Sequence, residues 1–195
     1  MTAPVVITVA TARQAADSIE ALADVLVDCV EGGASVGFLW PLQRATATAF
    51  WRGMADGVAR GERVLLLACE AAADGPGAIV GTVQLILALP QNQPHRADLA
   101  KMLVHRQARR RGVARQLLAQ AEAVAREHRR SVLVLDTVSG GAAERLYARA
   151  GWLRVGTVPN YALMPNGQPC ATTIFHRPLQ PQADAIQAAS VPAVK

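Results

Sequence analysis

Arg109-Arg110-Arg111-Gly112-Val113-Ala114 follows the strand-like run Leu99-Ala100-Lys101-Met102-Leu103-Val104 and opens an amphipathic helix. A strand, a basic glycine turn and a helix start make an anion cradle. The first helical N–H groups have no intrahelical partner, and the helix dipole places partial positive charge where they point. Gly112 removes the Cβ that would hold a ligand away from the backbone. The helix is read from spacing: Val113, Leu117, Leu118, Ala121, Val124 and Ala125 share one stripe, with Gln116, Gln120, Arg126 and Glu127 off it. Neither G-x-x-x-x-G-K-[ST] nor a well-placed G-x-G-x-x-G occurs, which argues against nucleoside triphosphates and dinucleotides.

Charge points to the same place. The formal net charge is +5, and nine of the 20 Lys+Arg residues fall between Lys101 and Arg130, against only Glu122 and Glu127. Such local focusing suits a small polyanion, whose phosphates match arginine forks. For Arg126, Arg129 and Arg130 a solvated helix face is the alternative. No aromatic residues interleave the cluster, which argues against nucleic acid as partner.

With 195 residues, 51% of them hydrophobic, the chain supports one domain with a substantial core. No apolar run reaches the ~18 residues of a membrane span, and no secretory leader is recognisable at the N-terminus. The expected compartment is the cytoplasm, with no membrane partner. Cys29, Cys69 and Cys170 are odd in number and widely spaced, so reduced thiols are expected. His95, His105, His128 and His176 have no metal-ligand spacing, and no metal is expected.

Working outward, Val5–Val9 predicts a first strand, Thr11 to about Cys29 a helix, and Glu31–Gly37 a break. Pro41 suits the first turn of a second helix reaching about Arg60. Val64–Cys69 and Ile79–Leu89, joined through Asp74-Gly75-Pro76-Gly77, predict an antiparallel hairpin. A strand over Arg96–His105 continues the sheet. Val132–Leu135 is continuously apolar, as in a strand covered on both faces, and ends at Asp136-Thr137. A helix over 142–150, a strand over 152–158, a long loop from Pro159 to Pro169 and a strand over 171–177 complete the order. The Gln-, Ala- and Pro-rich end, 180–195, is expected to be a mobile tail beyond a domain of residues 1–179.

Arg109, Gly112 and Ala114 match the R/Q-x-x-G-x-G/A signature of the GCN5-related N-acetyltransferases, and the element order resembles that family's fold. The resemblance implies an α/β (α+β) acyl-CoA N-acyltransferase fold, a central mixed, mostly antiparallel sheet flanked by helices. It also implies acetyl-CoA as cosubstrate. The pyrophosphate would lie on Arg109, Arg110, Arg111, Gly112, Val113, Ala114 and Arg115. In this family the preceding strand carries a bulge whose backbone holds the pantetheine arm and the acetyl carbonyl; Met102, Leu103 and Val104 match it.

The resemblance extends to Leu146-Tyr147 and Ala150-Gly151-Trp152, where a helical tyrosine lies near the cofactor sulfur. A phenol with an ordinary pKa of about 10 stays protonated at neutral pH and can donate to a departing thiolate. Tyr147 equally fits a core position on an apolar stripe. Asp136 ends a strand where ligands gather in open α/β sheets, or is a turn or capping residue; Asp98 could face the same cleft, or be a surface strand charge. Asp98, Asp136 and Tyr147 match the paired carboxylates and tyrosine of members that acetylate a β-lactam amino-acid toxin, with Asp98 the shorter aspartate in place of glutamate.

Glu31–Phe38 and Pro159–Pro169 are candidate walls on the acceptor side, although the glycines of the first also read as helix punctuation. The expected activity is acetyl transfer to a primary amine of a small molecule by direct attack in a ternary complex, since no cysteine stands in a nucleophile motif. A peptide N-terminal acetyltransferase and a non-catalytic acyl-CoA sensor are the alternatives. A monomer or homodimer is expected.

Overall fold

The computed structural model describes residues 3–72 and 75–179; the proposed tail, 180–195, lies outside them. Elements run β1 (Val5–Val9), α1 (Ala12–Asp17), α2 (Ile19–Glu31), α3 (Arg44–Ala59), β2 (Arg63–Ala72), β3 (Gly75–Ile86), β4 (Arg96–Val104), α4 (Val113–Glu127), β5 (Val132–Val138), α5 (Ala142–Arg149), β6 (Leu153–Leu163) and β7 (Pro169–Pro178). The strands form one mixed sheet in the order β1-β2-β3-β4-β5-β7-β6. Every pairing is antiparallel except β4 with β5.

Alternation along β2 separates two cores. Val64, Leu66 and Ala68 join the α4 stripe, Leu133, Leu135, Tyr147, Trp152 and Phe175. Leu65, Leu67 and Cys69 join α2 and α3 through Leu22, Leu26, Val30 and Trp51. The continuous apolar run in β2 therefore reflects helices on both faces.

For β5 the same reading fails. Leu133 and Leu135 are buried, but Val132 and Val134 are only partly covered and Asp136 is exposed. The helices α1–α3 pack over β2–β4 and leave that face of β5 open. The helix expected over 11–29 is two helices. Thr11 and Gln14 form a capping box that starts α1, and Ser18, with bridge-region backbone (φ −94°, ψ −1°), divides it from α2. Pro41 does not open α3, which starts at Arg44 behind Gln43; the Trp40–Pro41 peptide is cis. The expected loop from Pro159 to Pro169 is largely strand: β6 runs to Leu163 and β7 starts at Pro169, because a bulge with Asn160 at φ 53° lets β6 continue past Pro159.

Pairing of β4 with β5 covers only Arg96–Asp98 against Val132–Val134. Beyond Asp98 the two strands part. The register of β4 against β3 also slips there, because Thr82 faces Leu103 while Gln84 faces Ala100. The extra residue makes a bulge, with Lys101 at φ 51°. From that point the β5-facing edge of β4 has no strand partner among the described residues, which leaves peptide groups available to a ligand.

Candidate active site

One side of the splay is main chain. Gly112, at φ 78°, caps α4, and Arg110 before it is also left-handed at φ 63°. A Cβ at Gly112 would stand in open space, its nearest neighbour Gln116 Nε2 at 3.9 Å, in front of the helix mouth. The turn has no acidic residue in the first helical turn to compete with an anion. These features fit a diphosphate held by backbone N–H groups, the expected role of residues 109–115.

The arginines of the turn divide. Arg109, Arg110 and Arg115 are exposed, and Arg109 Nε donates to the Val104 carbonyl at 3.3 Å. Arg111 turns away, donating to Glu70 Oε1 at 2.7 Å and to the Ala3 carbonyl. Its side chain ties the turn to β1 and β2, so its share in an anion site is its backbone. Val113 is buried core, as is Leu103. The Val104 carbonyl also accepts from the Cys29 thiol at 3.5 Å.

Sequence reasoning missed the brace beneath this turn. Asp28 of α2 accepts from the Arg106 backbone N–H at 2.8 Å and from Arg106 Nε at 2.7 Å, with His105 Nε2 at 3.3 Å. Burial alone would raise the Asp28 carboxyl, but the Arg106 hydrogen bonds and the charges of His105 and Arg106 outweigh it and hold it below the ordinary aspartate value. Gly32 lets the pair close up: a Cβ there would lie 3.0 Å from Arg106 Cδ and 3.2 Å from the Asp28 carbonyl.

The other side of the splay is built from side chains. Asp98 pairs with Val134 across β4 and β5, so Asp98, Val134 and Asp136 share the open face. The Asp98 side chain is half-buried. Its Oδ2 accepts from Arg96 Nη2 at 3.3 Å, while its buried Oδ1 has no hydrogen-bond partner. Burial pushes its carboxyl up, Arg96 opposes and Asp136 adds to the rise. The two carboxylates therefore sense each other. Tyr147 is 4% exposed, its ring 5.8 Å from Trp152 and 6.2 Å from Phe175. Burial, then Asp136, pushes its phenol above the ordinary value, so it stays protonated. The core reading of Tyr147 holds.

A second residue missed by the sequence reading is Lys101, a charge inside an apolar strand. That interruption was the available signal. Its ammonium lies 5.6 Å from the Phe50 ring centre and within 3.5 Å of where a Cβ on Gly37 would stand. Around the cleft the two expected walls meet: Ser35 Oγ donates to the Leu163 carbonyl at 2.8 Å, and the Trp40 N–H to the Pro165 carbonyl at 2.9 Å. Among the described residues no cluster of side chains suited to a metal occurs, and no helix is long and apolar enough to cross a membrane.

A mixed sheet that opens beside a glycine-capped basic helix is the architecture of the acyl-CoA N-acyltransferases. The profile of the acetyltransferase (GNAT) family matches residues 23–152, and the chain belongs to that family. It is an acetyl-CoA-dependent N-acetyltransferase. The chain is similar in fold to an N-acetyltransferase from Staphylococcus aureus Mu50, with TM-score 0.72 and 16% identity over 91% of this chain and 99% of that one. A ribosomal-protein-alanine N-acetyltransferase from Brucella melitensis gives 0.69 and 23%, over 89% and 99% of the two chains. The yncA protein of Salmonella typhimurium, solved with its cofactor acetyl-CoA, gives 0.69 and 17%, over 92% and 96%.

Proposed function

We propose that the chain acetylates the primary amine of a small molecule by direct attack in a ternary complex, with Asp136, Asp98 and Tyr147 as its catalytic residues. The observation that carries this reading is the strand register: Asp98 pairs with Val134, so Asp98 and Asp136 stand on one open face at the point where β4 and β5 part, and the Asp136 charge adds to the rise of the Asp98 carboxyl and the Tyr147 phenol. Acetyl-CoA supplies a thioester, held by the unpaired edge of β4 at Met102–Val104 and by residues 109–115. Asp136 binds the acceptor ammonium, and the two carboxylates take its proton directly or through water; burial raises the Asp98 carboxyl, which favours its holding that proton. The neutral amine then adds to the thioester carbonyl, forming the C–N bond; as the C–S bond breaks, the second proton lost by the nitrogen passes to the paired carboxylates, the phenol of Tyr147 gives its proton to the thiolate, and the phenolate is refilled from a protonated carboxyl.

The joined walls at Ser35–Leu163 and Trp40–Pro165 favour a compact acceptor over an extended peptide. The likeness of Glu31–Phe38, Lys101–Val104, Leu135–Thr137 and Pro159–Tyr161 to tabtoxin resistance protein makes β-lactam amino acids the first acceptors to test. The test is thiol release from acetyl-CoA across small amines and N-terminal peptides. Turnover of small amines with peptides inert supports the proposal; the reverse makes the chain a peptide acetyltransferase. Acetyl-CoA binding with no turnover of either makes it a sensor.

A further inference from the structure

We propose that Lys101 selects acceptors that carry a carboxylate beside the amine, an inference that rests on the acetyl-transfer reading above. A half-buried ammonium beside apolar groups gains by meeting a counterion, because taking a charge out of water without one is costly. Lys101 is partly buried, yet none of the ion pairs or hydrogen bonds among the described residues involves its ammonium. It rests instead near the face of Phe50, beneath the backbone of Gly37. Burial draws its ammonium below the ordinary lysine value, and the nearby Asp136 charge opposes that fall. The bulge is what aims it. At φ 51° Lys101 leaves the regular alternation of β4, which would otherwise fix its side chain by its place in the pleat.

Polarity across the cleft is consistent with this role. On the α3 side stand Lys101 and Arg63; Arg63 Nη1 donates to Gln84 Oε1 at 2.8 Å, while Arg63 Nε and Gln84 Nε2 remain without partners. On the β5 side stand Asp98 and Asp136. A zwitterion crossing the splay would set its ammonium on the carboxylates and its own carboxylate on Lys101. One compact ammonium with three donors matches a carboxylate, whereas phosphate groups are usually gripped by several donors at once.

The test pairs L-alanine, 4-aminobutyrate, L-ornithine and a β-lactam amino acid each with its carboxamide, reading kcat/KM by thiol release. In the wild-type chain the acid of at least one pair is expected to exceed its carboxamide by about tenfold or more, the scale of one charge-assisted contact. Lys101→Met is expected to bring that ratio towards one through a higher KM for the acid, while calorimetry still shows acetyl-CoA binding; Lys101→Arg is expected to keep the preference. Lys101→Gln serves as the second neutral variant should Lys101→Met not fold. A wild-type preference for the carboxamides, or a ratio that survives loss of the charge, would overturn the inference and leave the acetyl-transfer reading standing. No transfer to any amine would overturn both.

Discussion

The donor side and the acceptor side of the splay are built on opposite principles. At the mouth of α4 the proposed diphosphate would meet main chain: left-handed Arg110 and Gly112, then the N–H groups of the first helical turn. The surrounding side chains brace one another, Asp28 with Arg106 and Arg111 with Glu70. Across the splay the polar groups are side chains: Asp98 and Asp136 share the open face of β4 and β5, with Asp98 Oδ1 buried and unpartnered. In the proposed site a backbone cradle would read a diphosphate, common to every turnover, and would need little from side-chain identity. The acceptor would be read by side chains, each of which can be altered by one substitution.

That contrast predicts where damage falls. Asp136→Asn should lower kcat by about a thousandfold, because it removes both the ammonium contact and the shared base, while leaving the acetyl-CoA affinity measured by calorimetry near wild type. Equal loss in both would show that the two sides are not separable.

Tyr147→Phe keeps the ring against Trp152 and Phe175 and removes only the hydroxyl. Steady-state kinetics should show a fall in kcat of about a hundredfold with melting little changed. An unchanged kcat would leave Tyr147 a core residue alone.

Gly112→Val acts on the other side. A β-branched residue at φ 78° is strained, and its side chain enters the helix mouth. Acetyl-CoA should bind about tenfold more weakly by calorimetry, with kcat at saturating cofactor much less affected.

The smallest effect is expected at the brace. Asp28→Asn should cost about 1 kcal/mol in denaturant unfolding, a modest figure because Arg106 is open to water. The sign with pH follows from the lowered carboxyl. Above the ordinary aspartate value, near 4, the wild type holds this stability in full. As pH falls further the unfolded chain takes up its proton first, and the contribution fades towards the lower folded value. The gap between wild type and Asp28→Asn should therefore close in acid.

Much of the donor side was legible in the sequence, since it is local. A glycine before a 3.6-residue stripe specifies a helix start and the N–H groups that project from it, whatever packs around them. The turn arginines were less legible: nothing in their spacing says that Arg111 turns towards Glu70. The acceptor side was read as two aspartates and two walls. That the walls touch, through Ser35 and Leu163, depends on residues 128 apart in the chain. Asp28 went unread because its partners come from another element, and Lys101 because its neighbours Phe50 and Gly37 are far from it in the chain.

By itself the sequence determined most of the strands, the glycine-capped start of α4 and the family, because periodicity and glycine placement act over a few residues. Tertiary structure alone decided that β4 leaves β5 after Asp98, and that Lys101 stands on the bulge there. It also decided that one face of β5 stays open. Those outcomes depend on how far α1–α3 extend across the sheet and where strand registers slip, and both are settled by packing between segments far apart in the chain.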